Sequence, residues 1–111
     1  MPIKTEMLPK GEVLIRFEGA LNRRTVPEIR KQLLRTGRNR AVRNVVADFS
    51  EVSEMDTAGI AMLIELMQTL SGKDGELQLT GMSDAIQRII RLARLEQIFE
   101  IQSDSTATSV Q

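Results

Sequence analysis

Asp48-Phe49-Ser50-Glu51-Val52-Ser53-Glu54-Met55-Asp56-Thr57-Ala58-Gly59 is the stretch on which the reading of the chain turns. The apolar run Val45-Val46-Ala47 precedes it and reads as a buried strand, spanning about Asn44 to Phe49. Ile60-Ala61-Met62-Leu63-Ile64-Glu65-Leu66-Met67 follows and reads as a helix running from about Thr57 to Ser71. The spacing therefore predicts a loop rich in hydroxyls and carboxylates between the end of a strand and the start of a helix. Thr57 stands where that helix begins. Unpaired backbone N–H groups and the positive end of the macrodipole meet there, and an anion such as a phosphate is electrostatically welcome.

Working outward, the helix carries Ile60, Leu63, Ile64, Leu66, Met67 and Leu70 in one broad arc at helical spacing, the expected core face. Ala58, Ala61 and Met62 fall outside that arc, on the expected exposed side near Thr57. Upstream, Val13, Ile15 and Phe17 alternate as a strand closed by Gly19. Thr25 and Glu28 form a capping-box pattern for a first helix whose inner face is Val26, Ile29 and Leu33, with Gly37 as its stop. Met1 to Pro9 is expected to add an edge strand through Ile3 and Met7. Downstream, Gly72-Lys73-Asp74-Gly75 reads as a turn and Glu76 to Thr80 as a strand. Ser83 caps a third helix with Ala85, Ile86, Ile89, Ile90, Leu92 and Ala93 turned inward, and Ile98 to Ile101 suggests a last short strand. The order β-β-α-β-α-β-α-β predicts an α/β fold with a partly parallel sheet joined by right-handed crossovers.

The 111 residues and 41% apolar content suit one domain, expected over residues 1–102, with 103–111 a short polar, frayed tail. Fifteen basic and fifteen acidic side chains balance, so bulk attraction to nucleic acid or an anionic membrane is not expected. The charge is nevertheless uneven along the chain. Arg23, Arg24, Arg30, Lys31, Arg35, Arg38, Arg40 and Arg43 face only Glu28 in their window, while Asp48 to Glu76 is acidic apart from Lys73. Solvated helix faces account for such a pattern, and so does a bipolar surface that orients a charged partner. With no secretory signal and no long apolar run, a cytoplasmic protein without membrane insertion is expected.

The chemistry available is narrow. The chain has no Cys and no His, which removes thiolate, imidazole-base and imidazole-metal sites, and no Gly-rich phosphate loop is present. Asp48, Glu51, Glu54 and Asp56 do not follow the spacing of a calcium loop. A phospho-acceptor aspartate at Asp48 requires an acidic pair after the first core strand, and Gly19-Ala20-Leu21-Asn22 stands there instead. No enzyme, cofactor or metal site is expected. From the residues alone, Asp56-Thr57-Ala58-Gly59 reads first as a helix cap followed by a glycine that permits close packing.

At these same residues, with Phe17 to Asn22 before them and Gly75 to Gly81 and Leu95 to Phe99 after, the chain resembles the STAS family. That domain is shared by sulphate transporters and bacterial anti-sigma-factor antagonists. The resemblance covers about residues 10 to 102 and implies a STAS-like mixed sheet of four to five strands packed by about three helices. It implies further that Thr57 is the family's phosphorylated hydroxyl and Asp56 the aspartate before it. The implied partner is an anti-sigma factor that is also a serine/threonine kinase, so the role would be regulation of transcription. The implied partner-binding residues are Asp56, Thr57, Ala58, Gly59, Ala61, Met62 and, from the facing loop, Asn22. Antagonists often carry an acidic pair where Ala20 and Asn22 stand. The STAS subunit of phospholipid-transport ABC systems, which sits on the ATPase, is the alternative. Thr57 and the aliphatic helix after it resemble that subunit, and Phe99 after Leu95 resembles the antagonists.

Overall fold

The computed structural model describes residues 3–95 and 100–102. In chain order its elements are β1 (Ile3–Leu8), β2 (Glu12–Leu21), α1 (Val26–Arg38), β3 (Asn44–Met55), α2 (Thr57–Ser71), β4 (Glu76–Thr80), α3 (Asp84–Leu92) and β5 (Glu100–Gln102). The strands form one five-stranded sheet in sequential order. β1 runs antiparallel to β2, and every later neighbour is parallel. This is the predicted mixed sheet with three helices. The tail 103–111, and Ile98 and Phe99 of the expected last strand, lie outside the described residues.

One face of the sheet is apolar and covered. Val13, Ile15, Phe17, Val45, Ala47, Phe49, Leu77 and Leu79 are buried there, and Phe17 stacks on Phe49 with ring centroids 5.2 Å apart. Ile29 and Leu33 of α1, Leu63, Leu66 and Leu70 of α2, and Ile86 and Ile90 of α3 join them in a single core. Helices linking sequential parallel strands by crossovers of one hand fall on one side of a sheet, which is why all three share this face. The opposite face is half-exposed at Leu14, Val46 and Asp48 and carries the ion pairs Lys4–Glu18 at 3.3 Å and Arg16–Asp48 at 3.0 Å.

Several expectations change. The presumed loop after Phe49 is strand: β3 continues to Met55 beside β2. Two register shifts, between Arg16 and Glu18 and between Gly19 and Ala20, let β3 hold extra residues against β2. Inward side chains then recur every third residue at Phe49, Val52 and Met55, while Ser50, Glu51, Ser53 and Glu54 are exposed. That broken alternation is what looked like a loop. Gly19, at φ +82°, sits at one shift and does not end β2. Gly37 does not end α1 either. It is buried, and a Cβ on it would lie 2.9 Å from Leu66 Cδ1, so it lets α1 and α2 pack closely. On α3 the inner face narrows to Ile86 and Ile90 with Ile89 half-buried, while Ala85, Ala93 and Leu92 (77% exposed) face solvent.

Candidate functional site

The backbone at the mouth of α2 is fixed by the chain around it. Asp56 is the N-cap, with extended backbone and a side chain turned into the helix. Its Oδ1 accepts from Ala58 N at 2.8 Å and Gly59 N at 3.4 Å, satisfying two of the orphan donors of the first turn. Its Oδ2 accepts from Arg23 N at 3.3 Å, and its own N–H donates to Leu21 O at 3.0 Å. One aspartate thus ties the start of α2 to the loop between β2 and α1.

That loop is itself folded by polar contacts. Asn22 Oδ1 accepts from Arg24 N at 2.9 Å and Thr25 N at 3.2 Å. The Thr25 hydroxyl donates to Ala20 O at 2.8 Å and accepts from Asn22 N at 3.0 Å. The expected capping box is therefore not formed: Thr25 makes no side-chain cap bond to α1, because its hydroxyl is committed to the preceding strand. Asn22 does the capping work one turn earlier, and it is half-buried.

Thr57 is the first residue of α2 and is exposed, and its hydroxyl bonds to no other described residue. Ala61 is exposed one turn further on, with half-buried Ile64 beyond it and exposed Gln68 after that. These four recur at helical spacing and form one outer stripe. Ala58 is half-buried. Two expected surface residues are not on the surface. Met62 is 2% exposed and belongs to the core. Gly59 is also buried, and a Cβ there would lie 2.6 Å from Met55 Cγ and 3.2 Å from Leu21 Cβ. The inward set is Gly59, Ile60, Met62, Leu63, Leu66 and Leu70, so the helix keeps Ile60 inside but is turned from the expected arc and exposes more of Ile64 and Met67. The clamp on Asp56 and the close seating of Gly59 on Met55 and Leu21 set that rotation.

The acidic residues of the stretch do not act together. Asp48 is occupied on the open sheet face, accepting from Ser50 N at 2.9 Å and Arg16 Nε at 3.0 Å. Burial pushes its carboxyl up, but these two donors outweigh burial and hold it below the usual carboxylate range. Among the described residues no three acidic side chains converge on a point that could hold a metal ion. No helix there is long and apolar enough to cross a membrane. Arg23 and Leu21, which the sequence reading passed over, take part through backbone atoms. Their identity carries no signal of that role.

The STAS domain model matches residues 5–108. The chain belongs to the STAS family. Among proteins of established role, it is 28% identical over 87 residues to the anti-sigma-B factor antagonist of Staphylococcus aureus, an alignment covering 78% of this chain and 80% of that one. Among solved structures it superposes on the Bacillus cell-fate determinant SpoIIAA in its phosphorylated form, with TM-score 0.75 and 23% identity over 96% of this chain and 92% of that one. An anti-sigma factor antagonist from Mycobacterium paratuberculosis gives TM-score 0.80 and 20% identity, covering 89% and 82% of the two chains. These likenesses show that the mixed sheet with its helices is the STAS fold.

Proposed function

We propose that this STAS protein is an anti-sigma-factor antagonist whose docking surface is the outer stripe at the start of α2, switched by phosphorylation of Thr57. The observation that carries the reading is an exposed, uncommitted hydroxyl on the first residue of α2, beside an aspartate fixed by three backbone N–H groups. Relatives named as antagonists support the role, and a protein of the same fold solved in a phosphorylated form supports a phosphate-based switch.

The physics of the switch has two sides. Within the chain, a phosphate on Thr57 is tolerated because the α2 N-terminus favours negative charge. Toward a partner, about two added negative charges beside Asp56 and exposed Glu54 bring bulk and repulsion to a previously small, apolar contact at Ala61 and Ile64. A change of a few kcal/mol, about a hundredfold in affinity, suffices to release a partner.

The test is to incubate the protein with a cognate anti-sigma kinase and ATP and locate the phosphate by mass spectrometry. Modification at Thr57 supports the proposal; modification elsewhere, or none with an active kinase, rejects it. Thr57→Ala should bind the anti-sigma factor whether or not ATP is present, and Thr57→Glu should bind weakly.

A second reading has one observation in its favour. From Thr57 through Ala61 and Ile64 to Gln68 the outer stripe of α2 carries no charge, which suits a lasting contact with a subunit such as the ATPase of a phospholipid-transport ABC system. Co-purification with such an ATPase, disturbed by Ala61→Arg and indifferent to any kinase, would select it.

A further inference from the structure

We infer that the groove along the C-terminal half of α1 is a second docking site, for an acidic segment of a partner protein. The groove is open, encloses about 630 Å³, and is lined by Arg30, Lys31, Leu34, Arg35, Arg38 and Asn39. Lys31, Arg35 and Arg38 fall within roughly 60° of arc on the helix, at 100° per residue. All three are exposed, and none of them forms a salt bridge among the described residues, though Arg38 lies near enough to Glu65 to feel its charge. Arg30, by contrast, is held by Glu65 of α2 in a two-pronged contact, with Nε to Oε1 at 2.7 Å. Lys73 adds a cation at the far end, its Nζ donating to Asn39 O at 2.8 Å.

Complementing the helix dipole explains part of this charge, since Arg35 and Arg38 lie in the last turn of α1. It does not explain Lys31, which lies before that turn, because the dipole effect fades within one turn. The charges form a continuous row above a buried leucine, Leu34, and such a row complements a segment bearing carboxylates at similar spacing. Nucleic acid is the poorer match. Its single strands are held by aromatic stacking, and the chain has no Trp or Tyr, while Phe17 and Phe49 are buried. A membrane is also poorer, because the site is concave and the exposed large apolar side chains of the described residues, Met7 and Leu92, lie on β1 and α3.

Gly37 packs on Leu66 and Thr69, so the groove lies alongside the C-terminal half of α2. Thr57 is about 15 Å away along the axis, at 1.5 Å rise per residue. A contact in the groove is therefore independent of the state of Thr57, and the inference does not rest on the phosphorylation proposal.

Fluorescence anisotropy with a short labelled peptide of alternating Glu and Leu tests it, with labelled single-stranded RNA and phosphatidylglycerol vesicles as parallel probes. The peptide should bind, and Lys31→Glu/Arg35→Glu/Arg38→Glu should lower its affinity about tenfold or more, with less binding as salt rises to about 0.2 M. Lys31→Glu alone should lose part of that affinity, and circular dichroism reports whether each variant is folded. Thr57→Glu should leave peptide affinity unchanged. No peptide binding to the unsubstituted protein, equal binding by folded charge-reversed variants, or groove-dependent binding of RNA or vesicles in place of the peptide would each overturn the inference.

Discussion

The two ends of α2 are held by different forces. At the C-terminal end the grip is steric: Leu66 and Leu70 are fully buried, Gly37 clears the way for Leu66, and Gly75 N donates to Leu70 O at 2.8 Å. At the N-terminal end it is polar, with one carboxylate accepting three backbone N–H groups and a single glycine, Gly59, seated on side chains. A contact made of packing has one good arrangement. One made of hydrogen bonds and charge can be re-weighted by adding charge. The helix is thus anchored at one end and chemically adjustable at the other, and Thr57 lies at the adjustable end.

The contrast is tested most severely by glycine substitution at each end. A Cβ on Gly75 would lie 1.8 Å from the backbone oxygen of Arg43, so two backbone segments must separate. Gly75→Ala should cost about 3 kcal/mol or more, a fall in Tm of roughly 10 °C by calorimetry. A Cβ on Gly59 would strike Met55 Cγ at 2.6 Å and Sδ at 3.1 Å, atoms of a side chain that can rotate. Gly59→Ala should therefore cost less, about 1–2 kcal/mol. Equal losses at both ends would erase the distinction between rigid and adjustable.

Removing the polar clamp is the next smaller change. Asp56→Ala deletes the cap and orphans the N–H groups of Ala58 and Arg23, while Gly59 N keeps its bond to the Asp56 carbonyl at 3.1 Å. The expected loss is about 1 kcal/mol, with Asp56→Asn recovering most of it. Amide hydrogen exchange should quicken at Ala58 and Arg23 but not at Gly75, whose bond belongs to the other end. Faster exchange at Gly75 in the same variant would mean that the ends are not separate.

Which parts of this were legible in the sequence follows from which forces are local. Asp56 before an apolar run announces a cap, and Thr57–Ser71 lies where the spacing puts it, because capping and helical periodicity are decided within a few residues. The alternation of strands and helices along the chain was legible for the same reason. The extension of β3 to Met55 was not, because it depends on register shifts against β2, and nothing near Ser50 or Glu54 in sequence records its partner strand. The rotation of α2 that buries Met62 was hidden likewise. It is fixed by Leu21, from a distant strand, meeting Gly59. Arg23 was missed because it contributes only an N–H, which every residue but proline has.

The smallest predicted effect probes the middle of α2, between the two grips. Glu65 is held there by Arg30, whose hydrogen bonds keep its carboxyl below the usual carboxylate range while slight burial opposes them. Because the folded-state pKa is the lower one, the folded protein binds the proton less well than the unfolded chain does. The pair therefore stabilises fully above the unfolded pKa of about 4.3, and that contribution is lost as pH falls through the folded value. Arg30→Gln should lower Tm slightly at neutral pH, as expected of a half-exposed pair, and the difference from the unsubstituted protein should close as pH falls through the folded value of Glu65. Asp48 obeys the same sign on the open sheet face, so acid alone cannot separate the two carboxylates. The variant can, since Asp48 is served by Arg16 and Ser50 and is untouched by a change at Arg30. A gap that persists or widens in acid would show that Arg30 acts through packing of its stem against α2. The seam would then belong with the steric end of the helix.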